Sequence, residues 1–261
     1  MTKTVPDILS RIVEQKRAGL DAVRSRRREL ERQAERCVDS RRDFRAALLG
    51  RRPAVIAEIK KGSPSKGTLA GEVDAAALAR AYEQGGAAAL SVLTDEEFFR
   101  GSLSDLEAAR AAVTLPALRK DFTIDGAHVV EAAAWGADAI LLIAAVLSTG
   151  EMRRCRELAA GFGMAAVVEV HEESELAAAL DSGAEIVGVN NRNLHTFEVD
   201  LATSLRLVER MPDEVVKVSE SGIHSSADLA RLRAAGFHAF LVGEHLMRSP
   251  DPASALRALL S

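Results

Sequence analysis

Eight short aliphatic runs alternate with helix-like segments along this chain, and no other feature constrains its fold as strongly. The runs are Ala54–Ile59, Ala89–Leu93, Pro116–Arg119, Ala139–Ile143, Ala165–Val170, Ile186–Val189, Val215–Val218 and Ala239–Val242. They are nearly continuous in apolar residues, which is typical of parallel strands that are buried on both faces. The segments between them carry apolar residues at helical spacing. The alternation therefore predicts an α/β protein with a parallel sheet.

A glycine repeat favours one closed architecture. Gly86, Gly136, Gly183 and Gly236 each end a helical segment and lead into a strand, where glycine lets the chain leave a helix in a left-handed conformation. A doubly wound open sheet is the alternative, but no Gly-x-Gly-x-x-Gly follows the first strand. We expect a (β/α)8 TIM barrel over residues 51–261 with an N-terminal helical extension over residues 1–50.

The extension is rich in arginine, and its run Arg24 to Arg32 resembles a basic patch. Glu29, Glu31 and Glu35 interrupt or follow this run, and no aromatic residue interleaves it. We interpret it as a solvated helix face rather than a nucleic-acid surface.

Composition excludes several classes of partner. A net charge of −4 and an isoelectric point near 5.9 give no general attraction to nucleic acid or membranes. Cys37 and Cys155 form no disulfide framework, and neither they nor the six histidines have metal-ligand spacing. The segment Met1 to Leu9 is unlike a signal peptide, and the most apolar stretch, Ala132 to Leu147, is too short to span a bilayer. We expect a cytoplasmic protein without a bound metal.

Charged residues gather where the predicted strands end. The active site of such a barrel lies at the C-terminal ends of its strands. Those ends carry Glu58 and Lys60, Lys120, Glu169, Asn190 and Arg192, Glu220, and Glu244. A single polar strand end is ordinary because loops are polar, whereas lysines and glutamates around one rim indicate chemistry. Lys217 lies three residues before Glu220 and so has the opposite strand parity, which argues against a Schiff-base role.

Small residues beside these charges indicate an anion site. Ser221-Gly222 and Gly243-Glu244 follow strands 7 and 8, where barrels commonly bind phosphate through backbone N–H groups. Ser63 lies in a Gly/Ser loop after strand 1. Neither Ser63 nor Ser221 has an evident His–Asp partner for nucleophilic catalysis. The pattern predicts a phosphorylated small-molecule substrate.

Together these motifs resemble the indole-3-glycerol phosphate synthase family of tryptophan biosynthesis. The matching segments, in order, are Ala57-Glu58-Ile59-Lys60 with Ser63-Pro64-Ser65-Lys66-Gly67, Ser91-Val92-Leu93-Thr94 with Phe99 and Gly101, Leu118-Arg119-Lys120-Asp121-Phe122, Glu169-Val170-His171, Val189-Asn190-Asn191-Arg192-Asn193-Leu194 and Ser219-Glu220-Ser221-Gly222-Ile223. The resemblance covers nearly the whole chain. His245 departs from it, because a small residue such as Ser is expected there.

The resemblance implies a reaction and a set of roles. The family closes the pyrrole ring of 1-(2-carboxyphenylamino)-1-deoxyribulose 5-phosphate, with loss of carbon dioxide and water and without a cofactor. It implies that Lys120 is the general acid, with Glu169 as its partner carboxylate. Lys60 would steer the substrate carboxylate or assist dehydration, and Glu58 would hold Lys60 or act as a base.

The same resemblance implies the binding residues and the setting of the site. Asn190 and Glu220 would bind substrate hydroxyls, and Arg192 would shape the anionic pocket. The phosphate would meet Ser63, Ser221, Gly222, Gly243 and Glu244, and the anthranilate ring would lie among Phe99, Phe122, Leu141 and Leu194. The N-terminal extension would pack on the barrel mouth, and the enzyme would be a monomer or weak homodimer.

Two matters stay open from the residues. Another sugar-phosphate barrel, such as an isomerase or a lysine-dependent aldolase, is the competing enzyme, and an inactive binding barrel is a third possibility. For the acid role, we expect Lys60 and partial burial to lower the pKa of Lys120, since a lysine with an ordinary pKa is a weak acid at neutral pH.

Overall fold

Eight parallel strands close into a barrel in the computed structural model of this protein, which describes residues 7–50, 53–63, 67–68 and 73–261. We number them β1 (Ala54–Ile59), β2 (Ala89–Leu93), β3 (Ala117–Lys120), β4 (Ala139–Ile143), β5 (Ala165–Val170), β6 (Ile186–Asn190), β7 (Val216–Glu220) and β8 (Ala239–Val242). Each strand pairs with the next, and β8 pairs with β1. The predicted TIM barrel is confirmed.

Three strands extend further than their aliphatic runs predicted. β3, β6 and β7 continue through Lys120, Asn190 and Glu220, because the parallel ladder goes on pairing the backbone after the apolar side chains end. Polar residues that the sequence predicted just beyond β3, β6 and β7 are therefore the last residues of these strands. The paired strand backbone holds their side chains in place.

Helices alternate with the strands around the outside of the barrel. Those of the described residues are α1 (Asp7–Ser25), α2 (Arg27–Cys37), α3 (Phe44–Gly50), α4 (Ala75–Gly85), α5 (Glu96–Phe99), α6 (Leu103–Ala111), α7 (Gly126–Ala134), α8 (Thr149–Gly161), α9 (Glu173–Asp181), α10 (Ala202–Val208), α11 (Ser226–Ala234), α12 (Glu244–Met247) and α13 (Pro252–Leu260). A 3₁₀ turn spans Val38–Ser40, and Gly62–Ser63 pairs antiparallel with Gly67–Thr68.

Side chains define where several of these helices begin and end. Asp74, Ser102, Asp125 and Ser148 accept hydrogen bonds from first-turn N–H groups, as helix N-caps do. The predicted glycine repeat is also confirmed, since φ is 96° at Gly86, 83° at Gly136 and Gly183, and 108° at Gly236.

The core has two layers, as strand parity requires. Residues of one parity, including Ile56, Leu118, Val167 and Val218, fill the barrel interior. Residues of the other parity pack outward against the helices, and there the aliphatic side chains form the larger cluster. Since successive strand residues face opposite sides, the inward parity also decides which polar residues line the barrel mouth.

Residues 7–50 cover the barrel from one end to the other. α1 contributes Ile8, Leu9 and Ile12 to the wall of the mouth, and α2 packs on α7. Phe44 and Leu48 of α3 join the interior cluster at the N-terminal ends of the strands.

The Arg-rich run of the extension is exposed, as predicted. Arg26 and Arg27 pair with Glu29 and Glu31 on the helix surface.

No helix of the described residues is both long and apolar enough to cross a membrane.

Candidate active site

A cavity of about 400 Å³ opens at the C-terminal ends of the strands, and we call it the mouth cavity. Its wall contains every site residue that the sequence predicted: Glu58, Lys60, Ser63, Phe99, Lys120, Phe122, Leu141, Glu169, Asn190, Arg192, Leu194, Glu220, Ser221, Gly222, Gly243 and Glu244. Pro64, Ser65 and Lys66 of the loop motif after β1 lie outside the described residues. The structure thus brings the predicted set to one place.

Lys120 lies at the centre of an ion-pair cluster formed by three strands. Its Nζ atom is 2.7 Å from Glu169 Oε2 and 3.2 Å from Glu220 Oε2. Lys120 ends β3, Glu169 is the penultimate residue of β5, and Glu220 ends β7. The two carboxylates are almost fully buried, so a cation between them offsets a large part of the desolvation cost.

These contacts shift all three pKa values. Burial disfavours the ammonium of Lys120, but the carboxylates of Glu169, Glu220 and Glu58 outweigh it and raise its pKa above the ordinary lysine value. Burial would raise the pKa of Glu169, yet Lys120 and His171 lower it to about 2. Burial, with Glu169 nearby, raises the pKa of Glu220 to about 7 despite the attraction of Lys120.

The expectation that the pKa of Lys120 is lowered is therefore wrong. It relied on the neighbouring Lys60 and on burial, whereas in the structure Lys60 is engaged by Glu58 and three carboxylates act on Lys120. The free protein holds a protonated lysine and an ionised Glu169 side by side, while Glu220 changes its protonation near neutral pH.

Glu58 and Lys60 form a second ion pair, as their shared strand face predicted. Lys60 Nζ is 2.7 Å from Glu58 Oε2, and Glu58 is 5% exposed. The backbone carbonyl of Glu58 accepts a hydrogen bond from the hydroxyl of Tyr82 at 3.0 Å. Tyr82 belongs to α4, so the end of β1 is fastened to the helix behind it.

Asn190 links the Lys120 ion-pair cluster to the loop that follows β6. Its Nδ2 atom donates to Glu169 Oε1 at 3.2 Å, and its Oδ1 atom accepts the backbone N–H of Arg192 at 3.0 Å. The second bond uses the amide oxygen, so the amide nitrogen is the atom presented to Glu169. The guanidinium of Arg192 donates to the carbonyl of Phe197 at 3.1 Å and lies 3.8 Å from Glu244.

One wall of the mouth cavity is apolar. The rings of Phe99 and Phe122 are 5.9 Å apart between centroids and tilted by 36°, a favourable aromatic geometry. Leu141, Leu194 and Ile8, Leu9 and Ile12 of α1 also line the mouth cavity. A planar ring fits such an apolar surface.

Small residues and exposed backbone form another part of the cavity lining. Ser221 and Gly222 have φ values of 70° and 80°, so two successive residues after β7 are left-handed. This conformation is costly for serine and is characteristic of functional loops. Glu244 Oε1 is 3.2 Å from Arg248, so its negative charge is directed at arginines, as an adjacent anion would require.

Some residues that shape the site gave no readable signal in the sequence. Gly188 of β6 leaves room for the Glu220 carboxylate, with which a Cβ atom there would overlap. Lys16 of α1 lies 2.9 Å from Asp95 and 2.7 Å from Asp121, so it ties the extension to the ends of β2 and β3. The spacing of Lys16 in a solvated helix could not indicate these partners.

Comparison with known proteins gives a consistent result. A family model described as indole-3-glycerol phosphate synthase matches residues 9–259. The protein of that name from Koribacter versatilis is 48% identical over 255 residues, covering 97% of this chain and 98% of that protein. The one from Azoarcus sp. is 55% identical over 224 residues, covering 84% and 85%.

Solved structures resemble the chain in fold. The structure of 3-hexulose-6-phosphate synthase matches with a TM-score of 0.64 and 17% identity, covering 79% of this chain and 97% of that chain. A thiamine phosphate pyrophosphorylase from Pyrococcus furiosus matches with a TM-score of 0.60 and 17% identity, covering 80% and 94%. At these identities the likeness is one of barrel architecture.

Proposed function

The chain belongs to the indole-3-glycerol phosphate synthase family, whose members are decarboxylating lyases, and on that premise we propose how its mouth cavity carries out ring closure. The proposal depends on one observation above all, the 2.7 Å contact between Lys120 and Glu169 in a cavity lined by Lys60. Lys120 is the general acid, and Glu169 is its partner and the proton acceptor.

Ring closure needs a proton at the ketone oxygen of the substrate. The ring carbon that bears the carboxylate attacks the ketone carbon, and Lys120 protonates the oxygen as the new carbon–carbon bond forms. Carbon dioxide then leaves, and its bonding electrons restore the aromatic ring. The hydroxyl group formed from the ketone oxygen then departs as water with a proton from Lys60. Glu169 takes the proton that the substrate loses in this dehydration. General acid–base steps of this kind contribute about 10²- to 10⁴-fold each.

The coupling of charges explains how a lysine with a raised pKa serves as an acid. The ammonium is stabilised by the negative charges of Glu169 and Glu220. When either carboxylate gains a proton, that attraction falls and the ammonium becomes a stronger acid. Glu220, with a pKa near 7, carries such a proton in part of the population at neutral pH. Proton uptake at the carboxylates thus promotes proton release from Lys120.

The remaining residues orient the substrate. Lys60, held by Glu58, attracts the substrate carboxylate, while Phe99, Phe122, Leu141 and Leu194 hold the anthranilate ring. Asn190 and Glu220 bind hydroxyl groups, and Arg192 adds positive charge. Ser63, Ser221, Gly222, Gly243 and Glu244 surround the phosphate, Glu244 through its backbone N–H. Holding the two ends of the molecule brings the reacting carbons together and reduces the entropic part of the barrier.

We also propose that residues 1–50 are an N-terminal helical extension of a barrel of residues 51–261, and that its helix α1 packs on the barrel mouth. Support comes from Ile8, Leu9 and Ile12, which line the mouth cavity.

A cytoplasmic location fits the two free cysteines, Cys37 and Cys155. Sedimentation over a range of concentrations tests the expected monomer or weak homodimer.

Turnover of the carboxyphenylamino-deoxyribulose phosphate, followed by indole fluorescence, tests the proposed function. We expect indole-3-glycerol phosphate and carbon dioxide in equal amounts. Borohydride added during turnover distinguishes the competing reaction, because a lysine-dependent aldolase would be trapped as a covalent adduct. Adduct formation at Lys120 or Lys60, or the absence of carbon dioxide, would contradict the proposal.

A further inference from the structure

A mostly buried histidine lies beside Glu169 and has no part in the mechanism above. His171 follows β5 directly, and its side chain is 16% exposed. Its Nε2 atom is 3.5 Å from Glu169 Oε1, and its Nδ1 atom is 3.2 Å from Glu175 Oε2. Nε2 is buried without a hydrogen bond and is directed at the proposed proton acceptor. The imidazole thus lies between two carboxylates.

Glu175 holds this ring in place. It lies in the first turn of α9, one helical turn after His171, and is 6% exposed. Its Oε2 atom accepts the backbone N–H of His171 at 2.6 Å as well as facing Nδ1. Because both the backbone and the ring bind the same carboxylate, the ring has little freedom to turn away from Glu169. When the ring is an imidazolium, Nδ1–H donates to Glu175 and Nε2–H is directed at Glu169.

The surrounding charges favour an imidazolium. Glu169 faces the ring from β5, Glu175 from α9 and Glu220 from β7, while Lys120 of β3 binds the other oxygen of Glu169. Burial disfavours the charged ring, but the hydrogen bond to Glu175 and these carboxylates outweigh it, so the pKa of His171 is raised. Asn190 donates to the same oxygen of Glu169 that His171 faces.

We propose that His171 is a positioning residue for ring closure, in which Glu175 holds its imidazolium against Glu169 to orient that carboxylate and keep it ionised. The inference rests on the proposed role of Glu169. The 3.5 Å gap is longer than a hydrogen bond, and the proposal requires it to shorten when substrate fills the cavity, as catalytic contacts often do. A charge-assisted bond then holds the lone pair that accepts the proton in a defined direction.

His171→Gln and His171→Asn keep a donor but remove the charge. We expect kcat to fall about 10-fold, the size of one charge-assisted hydrogen bond. We expect the acidic limb of the kcat profile to move to higher pH, because the pKa of Glu169 rises without the cation. Glu175→Gln should shift the limb in the same direction by less, since an amide holds the ring without favouring its charge. His195→Gln, at an exposed histidine, is the matched control and should leave the profile unchanged.

Histidine NMR titration gives a readout that does not require activity. We expect the pKa of His171 in the wild-type protein to lie above the ordinary histidine value of about 6.5, and Glu169→Gln and Glu175→Gln each to lower it. A His171→Gln enzyme with the wild-type pH profile, or a His171 pKa unmoved by Glu169→Gln, would overturn the inference. Full turnover by Glu169→Gln would instead refute the proposed function, so the two failures are distinguishable.

Discussion

The carboxylate of Glu58 occupies the space that a side chain at Gly243 would need. Gly243 follows β8 with a negative φ of −118°, so it does not use the left-handed region that favours glycine, and the neighbouring side chain is what excludes a Cβ atom there. This contact crosses the closure of the barrel, where β1 pairs with β8. It makes the position of the Glu58–Lys60 pair depend on a residue 185 positions away in the chain.

Gly243→Ala should displace Glu58 and with it Lys60. We expect about 1–3 kcal/mol of destabilisation from overpacking and a fall in kcat/KM of about 10-fold or more. Gly161→Ala is the matched control, because among the described residues no atom outside its own helix backbone and chain neighbours lies within 4 Å of the added carbon. In a stability cycle, Glu58→Ala should relieve much of the cost of Gly243→Ala. Equal activity of the two alanine variants would contradict the steric argument.

Lys120→Ala should abolish most of the turnover while leaving product binding nearly intact. The loss expected for a general acid is about 10²- to 10⁴-fold in kcat. Lys61→Ala is the control. Lys61 also follows β1, next to Lys60, but its Nζ atom pairs with Asp105 Oδ1 at 2.7 Å. Stopped-flow turnover and calorimetric binding of indole-3-glycerol phosphate provide the two measurements. A Lys120→Ala enzyme within a few-fold of wild type would exclude the assigned role.

Lys16→Met should loosen α1 from the barrel. It leaves Asp95 and Asp121, both nearly unexposed, without their shared cation. We expect a loss of about 3 kcal/mol in the free energy of unfolding and a higher KM, because α1 lines the mouth cavity. Arg27→Met, which breaks an exposed pair with Glu31, should cost less than about 1 kcal/mol. Urea titrations of both variants give the comparison.

The effect of Lys16 should depend on pH in a defined direction. Burial would raise the pKa of Asp121, but Arg119 and Lys16 lower it below its ordinary value. A lowered carboxyl pKa contributes stability above the unfolded value of about 3.9, and the contribution disappears as the pH falls. The difference between Lys16→Met and wild type should therefore shrink below about pH 4. A constant difference would show that lost packing, not charge, explains the effect.

The contribution of Glu220 to the free energy of unfolding should change with pH in the opposite direction. Its pKa is raised to about 7, while an unfolded glutamate titrates near 4.3, so between these values the folded protein binds more protons. Its contribution to stability therefore falls as the pH rises through this range. Glu220→Gln should gain stability relative to wild type between pH 5 and pH 8, by up to about 3 kcal/mol. A gain that does not grow with pH would contradict the raised pKa.

The fold and the membership of the site were accessible from the sequence for a shared reason. Strand and helix periodicities are local, and a barrel collects the C-terminal ends of its strands at one rim whatever their distance in the chain. Reading Glu58, Lys120, Glu169 and Glu220 as strand ends was therefore enough to expect them in one cavity. Parity also placed Lys217 correctly, since it lies outside the mouth cavity near Asp213.

Charge coupling was not accessible in this way. The pKa of Lys120 depends on which carboxylates lie within a few ångströms, and those of Glu169, Glu220 and Glu58 come from three other strands. Coulomb energy varies with distance and burial, and neither quantity can be obtained from strand order. The sequence therefore predicted the lysine but reversed the direction of its pKa shift.

The linear pattern of this chain thus specified a (β/α)8 barrel and the residues at its mouth, because hydrophobic periodicity, glycine positions and strand parity are properties of neighbouring residues. Three-dimensional packing specified the pairing of Lys120 with Glu169 and Glu220, the clearance of Glu58 at Gly243, the anchoring of α1 by Lys16 and the placement of His171. The first three are short-range contacts between segments that are far apart in the chain, and they exist only once the barrel has closed. His171 contacts residues near it in the chain, Glu169 and Glu175, and the turn from β5 into α9 brings them together.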